Sequence, residues 1–228
     1  MSSKSFGIVC GLKSEAETVR AACEGLPVEL GVSGANADRA EKIATEFCDQ
    51  GVGAILSVGV SGGLDPTLEP GDLVIGATVK TAGGGSFDAS PILLANVLSV
   101  AGEIRPQVIY GSDMIVSSAS EKAVIYASSA SVAVDMESHG VARAAQKAGI
   151  PFIAIRAIAD PAARALPPAA LNAVAPDGST RIFKTLAECA KAPGQFPALL
   201  KLGSDSQKAL ATLKAKLGPM LRALETNA

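Results

Sequence analysis

Between Ser57 and Gly76 the chain reads S-V-G-V-S-G-G-L-D-P-T-L-E-P-G-D-L-V-I-G, a stretch that few folds can accept. An apolar run from Ala54-Ile55-Leu56 continues through Val58 and Val60 and stops at Gly62-Gly63. That pattern predicts a buried strand ending in a turn that places bare backbone amides beside a ligand. Pro66 then forbids an immediate helix, because proline lacks a donor and disfavours α geometry in the residue before it. Glu69-Pro70-Gly71-Asp72 turns the chain back into a second apolar run from Leu73 to Val79. Strand, glycine turn, loop, strand is the result. Gly59-Val60-Ser61-Gly62-Gly63 matches a G-x-S-x-G nucleophile elbow, but the elbow needs a helix directly after its serine. A dinucleotide fingerprint needs a helix there too, and G-x-G-x-x-G is absent at this turn. The plainer alternative is a Gly-Gly pair that only closes a tight turn.

The rest of the chain extends the alternation. Phe6–Cys10, Val28–Val32, Gln107–Tyr110, Val132–Val134 and Phe152–Ile158 read as strands. Ser14 with Glu17 forms a capping box for a helix to about Cys23, and a second helix spans about Asn36 to Gln50. Ser90-Pro91 opens a helix to about Ala101, Glu121–Ser128 forms another, and one following Asp135-Met136-Glu137-Ser138 is closed by Gly149. Gly83-Gly84-Gly85 reads as a flexible loop. Strands alternating with helices predict a single-domain, three-layer α/β/α fold around a largely parallel mixed sheet. Ligands on such sheets sit at strand carboxyl ends, where Gly62-Gly63, Glu137 and Asp160 fall. Beyond Pro167-Pro168 and Pro176-Asp177-Gly178, helices are predicted at Phe183–Ala190, Leu199–Leu202 and Ser206–Leu224, the last with a leucine stripe from Leu210 to Leu224.

With 228 residues, 48% hydrophobic and 18% charged, the chain suits one compact enzyme domain over residues 1–228. No run approaches a membrane span, and no signal peptide is evident, so a cytoplasmic protein is expected. Cys10, Cys23, Cys48 and Cys189 form no C-x-x-C pair, which favours reduced thiols over disulfides or zinc; neither a metal nor a nucleic-acid partner is expected. Residues 181–228 hold eight Lys/Arg against three Asp/Glu, leaving +5 on a helical extension of an otherwise acidic body. Lys201, Lys208, Lys214, Lys216 and Arg222 beside the leucine stripe suit either a solvated helix face or docking on the anionic inner face of a membrane.

Three carboxylates at strand or helix ends, with a serine and backbone amides nearby, suit chemistry in which a leaving group is protonated and a cationic sugar centre is stabilised. Singly, Glu15 would also complement a helix dipole, Glu137 start a helix, and Asp160 occupy a turn. His139 reads as a helix-surface or interface residue. A Ser61, His139, Asp135 triad is disfavoured, since Asp135 and His139 lie four apart on one helix.

G-V-S-G-G-L-D-P-T-L-E-P-G-D, V-D-M-E-S and I-R-A-I-A-D together resemble the three signatures of the nucleoside phosphorylase and methylthioadenosine/S-adenosylhomocysteine nucleosidase superfamily, over about Phe6 to Asp160. The proline-rich Ala165–Gly178 segment and basic tail are similar to the hopanoid-associated branch, which removes adenine from adenosylhopane. The resemblance implies that Asp160 protonates the purine at N7, that Glu137 binds the ribose hydroxyls with Met136 against the sugar, and that Glu15 activates the nucleophile. It places Ser61, Gly62 and Gly63 under the sugar and Asp113, Ile115 and Val116 at the base. It implies no cofactor beyond phosphate as an optional co-substrate, a small adenosyl substrate that can be lipid-linked, and a homo-oligomer. Three positions depart from the pattern. Val60 stands where many relatives have a phosphate-contacting Ser or Thr, Glu15 where hexameric phosphorylases have an arginine, and Ile115 where nucleosidases often have a stacking phenylalanine. Val60 and Glu15 weaken the case for a phosphate site, so hydrolysis is expected to compete with or exceed phosphorolysis. The alternatives are an ordinary purine nucleoside phosphorylase, a methylthioadenosine/S-adenosylhomocysteine nucleosidase, a nucleoside-binding protein without turnover, and an esterase on another fold.

Overall fold

The computed structural model describes residues 5–171, 173–181 and 192–225. β1 (Phe6–Cys10), β2 (Val28–Val32) and β3 (Ala54–Gly63) begin where the apolar runs begin, with α1 (Lys13–Ala22) and α2 (Ala37–Asp49) between them. Next come β4 (Leu73–Thr81), β5 (Ser86–Asp88), α3 (Pro91–Ala101), β6 (Pro106–Gly111) and α4 (Ala119–Ser129). β7 (Ala133–Asp135), α5 (Ser138–Ala148) and β8 (Phe152–Asp160) complete the alternation, and α6 (Phe196–Glu225) follows. The chain adopts the expected mixed α/β class.

The strands join by a less expected route. β2, β1, β3 and β8 form one parallel block, while β4, β6 and β7 form another. Antiparallel pairing of β4 with β8 and of β3 with β7 links the blocks twice. Five strands therefore close a ring, β3-β8-β4-β6-β7, and β8 is buried along its whole length. Closure removes sheet edges near the site and leaves β2 and β5 as the outer strands. Gly83–Gly85, expected to be a flexible loop, turns a short hairpin: Gly84 takes φ +78° and β5 pairs with β4.

Helices cover both faces. On one, Val19 of α1, Val97 of α3 and Leu213, Leu217 and Leu221 of α6 pack over Ile8, Leu56, Ile75 and Ile155. On the other, Ala40 and Ala44 of α2 and Val141 and Ala145 of α5 pack over Val9, Ile55 and Ile158. Cys10 and Cys23 are buried free thiols, and burial raises both pKa values, which keeps them unreactive.

The C-terminal region differs from expectation in two ways. Leu199–Leu202 and Ser206–Leu224 are parts of one helix, α6, because Asp205, read as part of a break, is buried and held by Arg164 at 2.6 Å and Lys201 at 3.1 Å. The leucine stripe is core: Leu213, Leu217, Leu221 and Leu224 are each at most 1% exposed, so they are closed to a bilayer. The expected Phe183–Ala190 helix and Cys189 lie outside the described residues. Among the described residues no helix is long and apolar enough to cross a membrane.

Candidate active site

Glu15 sits in the first turn of α1, although the local capping differs from the sequence pattern. The helix starts at Lys13, and Ser14 is inside it; the cap is Glu15 itself, whose Oε2 accepts the N–H groups of Gly11 and Leu12 at 2.8 Å each. Its Oε1 accepts the Val60 N–H, also at 2.8 Å, so one carboxylate ties α1 to β3. This close approach explains two glycines. A methyl group on Gly59 would stand 2.8 Å from both Glu15 oxygens, and one on Gly11 would stand 2.5 Å from Glu137 Oε1. Burial raises the Glu15 pKa against the three backbone hydrogen bonds and the pull of Arg156.

Glu137 reaches the same place from β7. Asp135 Oδ1 accepts the N–H groups of Glu137 and Ser138 and so starts α5. Beneath them lies Arg156, 1% exposed, in the middle of β8. Its guanidinium donates to Asp135 at 2.8 Å, Ser57 Oγ at 2.6 Å and Ser138 Oγ at 3.0 Å, and lies 3.5 Å from Glu137 Oε2. Three buried carboxylates, Glu15, Asp135 and Glu137, thus share one buried cation. Asp135, bonded directly, is held below the usual carboxylate range, because Arg156 and Ser138 outweigh the cost of burial. Burial pushes Glu137 up to about 8 against the pull of Arg156, with the charges of Asp135 and Glu15 adding to the rise.

That proton has a measurable consequence. A carboxyl whose folded pKa is raised stabilises the fold below its unfolded pKa, near 4.5, and loses that contribution as pH rises through about 8. Within that window stability falls with pH by at most about 1.4 kcal/mol per unit. Glu15 acts in the same direction. Thermal melts from pH 5 to pH 8 are expected to show a falling Tm whose slope is reduced in Glu137→Gln; an unchanged slope would show that Glu137 is already ionised.

Asp160 ends β8. A register shift between Ser61 and Gly62 places Gly62 opposite Asp160, an irregularity of the kind that re-aims side chains beside sites. Burial raises the Asp160 pKa, opposed by Lys122, whose ammonium donates to Oδ2. Ser61 Oγ is buried without a partner, as suits a hydroxyl waiting for a ligand.

These groups open on one cavity of about 650 Å³. Glu15, Ser61, Gly62, Met136, Glu137 and Asp160 line it, with Ile115 and Val116 alongside. Two expected residues stand elsewhere. Gly63 lies behind the wall, close to the Asp160 backbone, and Asp113 is a largely exposed residue whose Oδ1 pairs with His139 Nε2 at 2.9 Å. His139, expected on a helix surface or at an interface, is 1% exposed inside the chain and anchors that loop.

A model of the phosphorylase superfamily matches residues 5–191. The chain belongs to the phosphorylase superfamily. The futalosine hydrolase of Helicobacter pylori strain 26695 is structurally similar to this member, with a TM-score of 0.75 at 18% identity over 96% of this chain and 98% of the other. A 5′-methylthioadenosine/S-adenosylhomocysteine nucleosidase from Colwellia psychrerythraea 34H, solved with adenine, gives a TM-score of 0.75 at 17% identity over 100% and 98%. The Neisseria meningitidis nucleosidase, solved with methylthio-immucillin-A, gives 0.73 at 20% identity over 96% and 99%. No match was found among curated proteins. At these identities the likeness establishes the fold of the phosphorylase superfamily.

Beyond the carboxylates the cavity becomes apolar. Leu166, Ala170 and Val174 of the proline-rich strap and Leu199, Leu202 and Leu210 of α6 form its outer wall, with Phe196 and Leu200 half exposed at the rim. The strap is fixed at several points. Leu166 N–H donates to Ser117 O at 2.8 Å, Lys13 N–H donates to Gly178 O at 3.0 Å, and Val174 bridges to Thr180. Sequence reading missed this wall, as well as Arg156 and Lys122. Arg156 had a signal, being a lone cation inside an otherwise apolar strand.

Proposed function

We propose that the protein hydrolyses the N-ribosyl bond of an adenosyl substrate whose ribose C5 carries a large apolar group. The observation that carries this reading is the lining: Glu15, Asp135, Glu137 and Asp160 at the inner end, apolar side chains at the outer end, and no Lys or Arg among the described lining residues. Breaking the bond leaves positive charge on the ribosyl ring, which carboxylates in a desolvated cavity stabilise. Phosphate, a dianion, would meet four carboxyl groups and no lining cation. Water suits this cavity better.

In this reading Asp160, whose raised pKa favours carrying a proton, protonates the purine at N7 as the C1′–N9 electron pair enters the ring. Glu137 takes the ribose hydroxyls, with Met136 against the sugar. Glu15, fixed by three backbone N–H groups, accepts a proton from the attacking water. The strap and α6 hold the C5 substituent. Adenosylhopane, which the sequence resemblance implies, has such a substituent.

The test is incubation of 5′-octylthioadenosine in phosphate-free buffer made with oxygen-18 water. Adenine and a sugar labelled at C1 are expected. Adenine release that requires phosphate would overturn hydrolysis, and no adenine under either condition would overturn the reading as a whole.

A further inference from the structure

α6 builds its part of the cavity wall from one face. Leu199, Leu200, Gly203, Ser206 and Leu210 recur at three- and four-residue spacing, so they share a side of the helix, and all of them line the cavity. Lys201, Ser204 and Lys208 lie off that face and are exposed. Gly203 is thus a position on the wall without a side chain, and nothing in the helix asks for glycine there. Inside a helix glycine is less stable than alanine, because it has more freedom to lose on folding. Gly203 has no positive φ. Among the described residues, a methyl group built on it would meet no atom within 4 Å. Gly218, further along the same helix, is the opposite case, since a methyl group there would come within 3.1 Å of the Ala22 carbonyl oxygen. Packing therefore accounts for Gly218 and leaves Gly203 without a cause in the fold. Ser61 points independently to a ligand in this cavity: it is 5% exposed, lines the same space, and its Oγ is without a partner among the described residues.

We propose that Gly203 is a specificity-determining residue: by leaving the middle of the α6 wall bare, it makes room for a large apolar group on ribose C5. This rests on the reading of the cavity above and adds the position that sets the size of group accepted. From Leu199 to Leu210 the wall runs roughly 16 Å at 1.5 Å per residue, far more than a methylthio group can touch. Leu199 and Leu210 bound the bare stretch with apolar side chains, Ser206 adds only a small one, and a long substituent lies in the notch between them. A methylthio group, held close to the ribose at the carboxylate end, leaves most of this wall untouched. A leucine at position 203 would project from the cavity face of α6 and occupy the notch, so it would exclude long groups far more than short ones.

The experiment compares kcat/KM for 5′-octylthioadenosine and 5′-methylthioadenosine in wild type, Gly203→Leu, Gly203→Ala and Ser204→Leu. G203L should lower the octyl-to-methyl ratio by about tenfold or more, the scale on which overfilling a packed space acts. G203A should lower it by a smaller factor, and S204L, off the cavity face, should leave it unchanged. Thermal melting supplies a readout that a purely structural glycine would move the other way: G203A should melt at or above the wild-type temperature, because alanine suits a helix interior better than glycine. Gly203→Met takes the place of G203L if the leucine variant does not fold. An unchanged ratio in the filled variant, an equal fall in S204L, or a G203A Tm well below that of wild type would overturn the proposal. Failure of the wild type to release adenine from either compound would instead overturn the reading of the site.

Discussion

Asp160→Asn is expected to lower kcat by about 10² to 10⁴ while leaving adenine affinity largely intact. The amide keeps the size of the side chain and can hydrogen-bond the purine, but it has no proton acidic enough to give to N7. The change is also mild for the fold. Lys122 keeps an oxygen acceptor together with the carbonyls of Pro161 and Arg164, so its donors stay satisfied. Steady-state kinetics combined with adenine titration separate the two effects. A variant with near-normal kcat would remove Asp160 from the acid role.

The largest expected loss of stability lies one layer below the cavity. Arg156→Met removes the cation shared by Asp135, Glu137 and Glu15, and it leaves Ser57 and Ser138 without their donor. Breaking a buried pair by deleting one partner costs about 3–5 kcal/mol, because the remaining charge stays buried. In a chain of this size that corresponds to a fall in Tm on the order of 10 °C. Methionine is close to arginine in volume, so a cavity is not the cause. Melting at pH 5, where more of the freed carboxyls can take up protons, should recover part of the loss. Equal losses at pH 5 and pH 8 would show that packing, and not charge, is what Arg156 supplies.

Much of this was legible in the sequence, and particular residues show where legibility ended. Phe6–Cys10 and Val28–Val32 have the observed bounds because each is a short strand pattern, continuous in the first and alternating about Glu29 in the second, which is a local property. Gly62, Glu137 and Asp160 could be placed at strand ends for the same reason. Ring closure could not be read, since it depends on β4 meeting β8 and on the three-residue β7 meeting β3, pairings between segments far apart in the chain. Lys122 gave no signal at all, because local pattern cannot show that Asp160 and two carbonyls converge on it. Asp205 looked like a break in α6 because its partner Arg164 lies 41 residues earlier. The leucine stripe was legible as a stripe, but whether it faced protein or lipid depended on α1 and α3 covering it.

The proposed placement of the ribosyl ring at the carboxylate-lined end of the cavity, with its C5 substituent in the apolar channel, is read most simply by a chain-length series. Adenosine and a set of 5′-alkylthioadenosines from methyl to decyl, assayed for adenine release without phosphate, should give a kcat/KM that climbs with each added methylene until the channel is filled. Burial of one CH₂ contributes about 0.8 kcal/mol, so each early step should raise kcat/KM about fourfold. A kcat/KM that is highest for adenosine and falls as the chain lengthens would contradict the account.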